Sequence, residues 1–123
     1  MRKRNRAMVI LTTVARDKQA ERIASALVTN RFAACVNIIP AVFSVYRWKG
    51  NICKDRERLL IVKTSPTLFE KTRKKIREIH PYELPEIIAL PVEKADIDYL
   101  RWIGNSLFPD SATDKKSKKN SSK

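Results

Sequence analysis

Residues 33–64 read AACVNIIPAVFSVYRWKGNICKDRERLLIVKT, and this stretch decides the fold. Ala33–Trp48 is a long β-type run interrupted by Pro40, which removes a ladder donor, so the strand should be at an edge, bent or bulged there. Lys49-Gly50-Asn51 reverses the chain. Glu57–Thr64 then returns as a strand that is apolar on both faces in its middle. Upstream, Ala7–Val14 is β-rich, with Met8 and Ile10 on one alternate set and Val9 and Leu11 on the other. Asp17 reads as the N-cap of a helix whose Ala20, Ile23, Ala24, Leu27 and Val28 form one apolar stripe. Downstream, Ser65 and Pro66 read as N-cap and first helical residue, with Leu68, Thr72, Ile76 and Ile79 on the buried face. Pro81 stops that helix. Pro85–Val92 reads as a fourth strand, and Asp96 as the cap of a last helix carrying Tyr99, Leu100, Ile103 and Leu107.

The order β-α-β-β-α-β plus a C-terminal helix defines an α+β class. With right-handed crossovers it folds into a ferredoxin-like four-stranded antiparallel sheet with two helices on one face. Those helices cover one side of the sheet, yet strands one, three and four are apolar on both. An apolar face left in water is an interaction surface, so the chain is expected to pair with copies of itself. The long second strand supplies arms for that pairing.

The chain has 123 residues, one domain's worth. Residues 7–108 read as that domain, flanked by a basic extension at 1–6 and a basic, Ser- and Lys-rich tail at 109–123 expected to be disordered. The first residues imitate a secretory signal, but the short apolar run with two threonines fits a first strand better. No stretch approaches the roughly 20 apolar residues of a membrane-spanning helix. Two glycines, Gly50 and Gly104, leave no glycine-rich phosphate cradle. Cys35 and Cys53 lie at different heights of the hairpin, out of disulfide reach, and two free thiols suit a reducing cytoplasm. The formal net charge of +13 raises nucleic-acid binding. An RNA-recognition module, however, needs stacking aromatics on its two central strands, and strands one and three carry none, so nucleic acid is disfavoured as a partner. No coherent acid, base and nucleophile set is present, which argues against an enzyme.

AACVNIIP (33–40), SVYRWKG (44–50), LIVKT (60–64), HPYELPEII (80–88) and DYLRW (98–102) resemble the CutA family of divalent-cation tolerance proteins, over about Met8 to Leu107. The resemblance implies a ferredoxin-like fold, a homotrimer, cytoplasmic residence, no enzymatic activity and a role in tolerance of divalent metals, notably copper. It also implies an architecture similar to PII-type signalling trimers, which bind a metabolite or a protein partner.

The single histidine, His80, alone reads as a helix-end structural residue. Through the resemblance it becomes a metal ligand, with Glu83 as a second donor. Copper-binding members carry Cys where this chain has Thr12 and a second His where it has Ile79. The expectation is therefore weak, His80-dependent binding of Cu(II) or Zn(II) and no obligatory cofactor. Cys35 reads as a small buried hydrophobe rather than a soft-metal ligand, and Cys53 as an exposed, reactive thiol. Tyr46, Trp48, Glu57, Lys63, Tyr82 and Glu83 resemble the family's polar-aromatic cluster in the cleft between subunits. They serve either as a small-ligand pocket or as interface anchors.

Overall fold

A computed structural model describes residues 6–109. The readings of an N-terminal extension and a disordered C-terminal tail fall almost wholly outside those residues. The elements are β1 (Met8–Val14), α1 (Asp17–Thr29), β2 (Cys35–Trp48), β3 (Asn51–Thr64), a 3-10 turn (Pro66–Leu68), α2 (Phe69–Ile79), β4 (Ile88–Pro91) and α3 (Ile97–Leu107). The strands form one sheet in the order β2-β3-β1-β4 with antiparallel neighbours, the ferredoxin-like arrangement with an added helix. β2 is an edge strand and β1 and β3 are central, as the proline and the hydropathy pattern require.

α1 and α2 cover the face built from Ile10, Thr12 and Val14 of β1 and Leu60, Val62 and Thr64 of β3. Ala20, Ile23, Leu27 and Ile76 complete that core. Two chain ends depart from the sequence reading. Asp17 is the first helical residue rather than the cap, because its carboxylate pairs with Arg58 while Arg16 takes the extended cap position. Val28 is exposed, one helical step of about 100° round from the fully buried Leu27. The fourth strand is also shorter than Pro85–Val92, because only Ile88–Pro91 finds a ladder partner on β1.

α1 closes with Phe32 N–H donating to Leu27 O and Arg31 N–H to Val28 O, and Arg31 sits at φ 58°. That is a Schellman end. The Arg31 guanidinium then donates to Ser106 O at 2.7 Å, tying α1 to the last turn of α3. α3 is capped by Asp96, whose side chain accepts from Tyr99 N–H. It packs Ile103 and Leu107 against Ala7, Ala34 and Leu68, a second small core at one end of the sheet.

The β2–β3 hairpin places the site. Lys49 and Gly50 both have positive φ, 50° and 83°, as a two-residue turn of type I′ demands. Between Ile39↔Leu59 and Val42↔Glu57 the register slips, so Pro40 and Ala41 oppose Arg58 alone. The bulge exchanges the alternation. Below it Cys35, Asn37 and Ile39 share the helix-free face; above it Val42, Ser44, Tyr46 and Trp48 do, opposite Glu57, Asp55, Cys53 and Asn51. The other face of this distal arm runs past the helices and leaves Phe43, Val45 and Ile52 exposed.

Candidate functional site

Tyr46 and Trp48 reach the helix-free face of the hairpin through the bulge, and Glu57 meets them from β3. The segment after α2 brings the opposing wall. Pro81 and Pro85 bracket it, and His80, the C-cap of α2 with extended backbone, turns the chain. Together Tyr46, Trp48, Glu57, Tyr82, Glu83 and Glu86 line an open cleft of about 810 Å³, with Thr13, Ser44 and Leu84 at its edges.

Its polar groups are coupled in pairs. The Tyr82 hydroxyl donates to Glu57 Oε2 at 2.5 Å, and the Tyr46 hydroxyl donates to Asp55. Donation to Asp55 is the chief reason that Tyr46 is pushed up to about 12. Burial, then the bond to Glu57, holds the Tyr82 phenol above the ordinary range. Both stay protonated at neutral pH. Glu57 is 6% exposed, an unusual burial for a carboxylate. Burial, reinforced by the Glu57 charge, pushes Glu86 up from the usual carboxylate range.

His80 is 8% exposed and stands behind this wall. Its Nδ1 accepts from Tyr82 N–H at 3.1 Å, and its Nε2 lies 2.8 Å from Thr13 O. A carbonyl can only accept and an amide N–H can only donate. The ring is therefore the neutral Nε2–H tautomer with both nitrogens engaged. Burial pushes the imidazole below its ordinary value, in keeping with that form. The ring also packs edge-on to Tyr82, with centroids 4.7 Å apart. This arrangement argues against the metal reading within one chain: a ligand needs a free imidazole lone pair, and both nitrogens of His80 are engaged. Among the described residues no three His, Cys, Asp or Glu side chains converge to hold a metal ion. Glu83 lines the cleft without His80 beside it. The donor set of one chain therefore does not fit a resident metal.

Within one chain Lys63 lies apart from this cleft. It shares the helix-free face with Glu57 but lies six positions along β3, roughly 20 Å at about 3.3 Å per residue. There its ammonium lies 5.5 Å from the Tyr99 ring centroid, and Tyr99 stacks on Trp102. Cys35 and Cys53 are both free and half-buried, on different rungs of the hairpin: Cys35 opposite Lys63, Cys53 opposite Tyr46. Cys53 is thus less exposed than its place near a turn suggested. Asp55 escaped the sequence reading. The alternation of β3 placed Asp55 with Glu57, but its partner depended on the bulge.

The family model of the CutA1 divalent ion tolerance protein matches residues 8–106. The divalent-cation tolerance protein CutA of Thermus thermophilus is 46% identical over 95 residues, covering 77% of this chain and 92% of that protein. Human protein CutA is 46% identical over 91 residues, 74% of this chain, which spans only 51% of the human protein. Among solved structures, that of CutA1 from Oryza sativa superposes with a TM-score of 0.81 at 36% identity, covering 85% of this chain and 96% of that one. Fold, sequence pattern and these likenesses agree: the chain belongs to the CutA1 divalent ion tolerance family.

Proposed function

We propose that the chain works as a homotrimeric, non-enzymatic tolerance protein of the cytoplasm, acting on the cell's response to divalent metals including copper. Its working site is the Tyr46–Glu57–Tyr82 cleft, closed by a neighbouring subunit. One observation carries this reading. The distal hairpin holds cleft residues on one face and exposed Phe43, Val45 and Ile52 on the other, and the cleft between the hairpin and the 82–86 segment stays open to water. A second copy supplies what is missing. Copper enters this reading as the tolerated ion, not as a ligand of His80, whose nitrogens are engaged within the chain. The free thiols Cys35 and Cys53 support a reducing compartment.

The test is complementation. Cells lacking the protein are grown on graded copper and zinc with the wild-type chain or with Trp48→Ala. Restoration by the wild type and failure by an assembled Trp48→Ala protein is the expected result. Full restoration by the variant overturns the assignment of the cleft.

A further inference from the structure

The cleft is acceptor-rich and anionic within a chain of net charge +13. The phenol protons of Tyr46 and Tyr82 are committed to Asp55 and Glu57, so their oxygens remain as acceptors. Glu57, nine-tenths buried, takes one bond on Oε2, and no donor reaches its Oε1 among the described residues. That Oε1 keeps contact with solvent in the cleft, where a charged donor bonds a carboxylate more strongly than a neutral one. Glu83 and Glu86 add two carboxylates at the same opening. The donors on the walls, the Thr13 and Ser44 hydroxyls and the Trp48 indole, are neutral. Arg47, the one basic lining residue, alternates onto the face of β2 opposite Tyr46 and Trp48. The aromatic walls favour the same sign of charge: the Lys49 ammonium already lies 5.6 Å from the Trp48 ring centroid.

A metal ion needs several donors converging on one point, and the described residues offer no such convergence. Carboxylates that line one opening without three of them converging suit an elongated organic cation better than a metal ion. We propose that the cleft binds an organic cation of the aliphatic diamine class, one ammonium on Glu57 beneath the Tyr46 and Trp48 rings and the other at Glu83 and Glu86. The inference rests on the cleft being the working site.

Calorimetric titration of the full chain with 1,4-diaminobutane tests it. Parallel arms use 1,4-butanediol, Zn(II) and Cu(II), and light scattering reports assembly of the same samples. Expected are a saturable diamine isotherm that weakens with salt, no heat from the diol, and a loss on the order of tenfold or more in Glu57→Gln. Should Glu57→Gln fold poorly, Glu83→Gln at the exposed rim gives the same direction of loss. A wild-type chain silent to the diamine overturns the proposal, as do unchanged affinity in the folded variants or a metal that saturates the cleft and excludes the diamine. A chain that restores metal tolerance through this cleft yet ignores the diamine refutes this inference alone. Diamine binding by the wild type, with full tolerance restored by Trp48→Ala, refutes the proposed function alone.

Discussion

Thr12 is fully buried among Leu60 and its neighbours, and its Oγ1 has no hydrogen-bond partner among the described residues. A buried hydroxyl without a partner costs about 1–3 kcal/mol. Thr12→Val keeps the shape and removes that cost, so it should stabilise the fold by about 1 kcal/mol, read as a raised denaturant midpoint at unchanged slope. His80 makes the opposite case, a buried polar ring with both nitrogens engaged. Its folded-state pKa lies below the unfolded value of 6.5, so the unfolded chain binds more protons in that window. Stability is therefore full above about pH 6.5 and falls as pH drops towards the folded value. His80→Gln should flatten that limb of a pH–stability curve, and a limb unchanged in the variant would place the titration elsewhere. Metal affinity, by contrast, should not change in His80→Ala. The sequence made both roles of His80 readable, but the choice between them rested on Thr13 O and Tyr82 N–H, contacts that only the turn at Pro81 creates.

At the scale of elements, strand identity was legible because alternation and turn chemistry agree, and helix faces were legible through Ala20, Ile23, Leu27 and Ile76. Position along a strand was not. Lys63 and Glu57 share a face by parity, yet only the loop Pro81–Glu86 decides which of them has a cleft, and no periodicity reports where a loop lands. The hairpin turn offers a test of its own. Gly50 at φ 83° occupies a left-handed position with open space around it, so the cost of a side chain there is conformational rather than steric. Gly50→Ala should cost about 1 kcal/mol, and Lys49→Asn, which suits φ 50°, should act in the other direction. Hydrogen exchange of the amides from Arg47 to Ile52 separates the two: faster in the first, slower in the second. Equal protection in both would mean that the arm is held by something other than its turn.

For the whole molecule, the deciding fact is what the sheet leaves uncovered. Its helix-free face presents Val9, Leu11, Leu59 and Ile61 half-buried and Ile88 and Leu90 about half exposed, while Phe43, Val45 and Ile52 stand out on the distal hairpin. Each large apolar side chain removed from water contributes about 1.5–3 kcal/mol, so covering this set readily outweighs the entropy of association. α3 shields one end only, where Tyr99 lies over Lys63. The remaining face fits the arm of a second copy, which is apolar on the side that its own helices do not reach. The full chain at micromolar concentration should therefore scatter light as an oligomer of 14.2 kDa subunits, a trimer on the function proposed above. Leu90→Glu puts a charge at the middle of the uncovered face, on the strand paired with Val9. A single chain tolerates it there, because the position is exposed. An assembly that buries the face is strongly weakened by it, since an unpaired buried carboxylate costs several kcal/mol per subunit. The variant should run as a folded monomer with native-like circular dichroism. Trimer mass retained in Leu90→Glu would show that the sheet face stays in water and that the copies meet elsewhere.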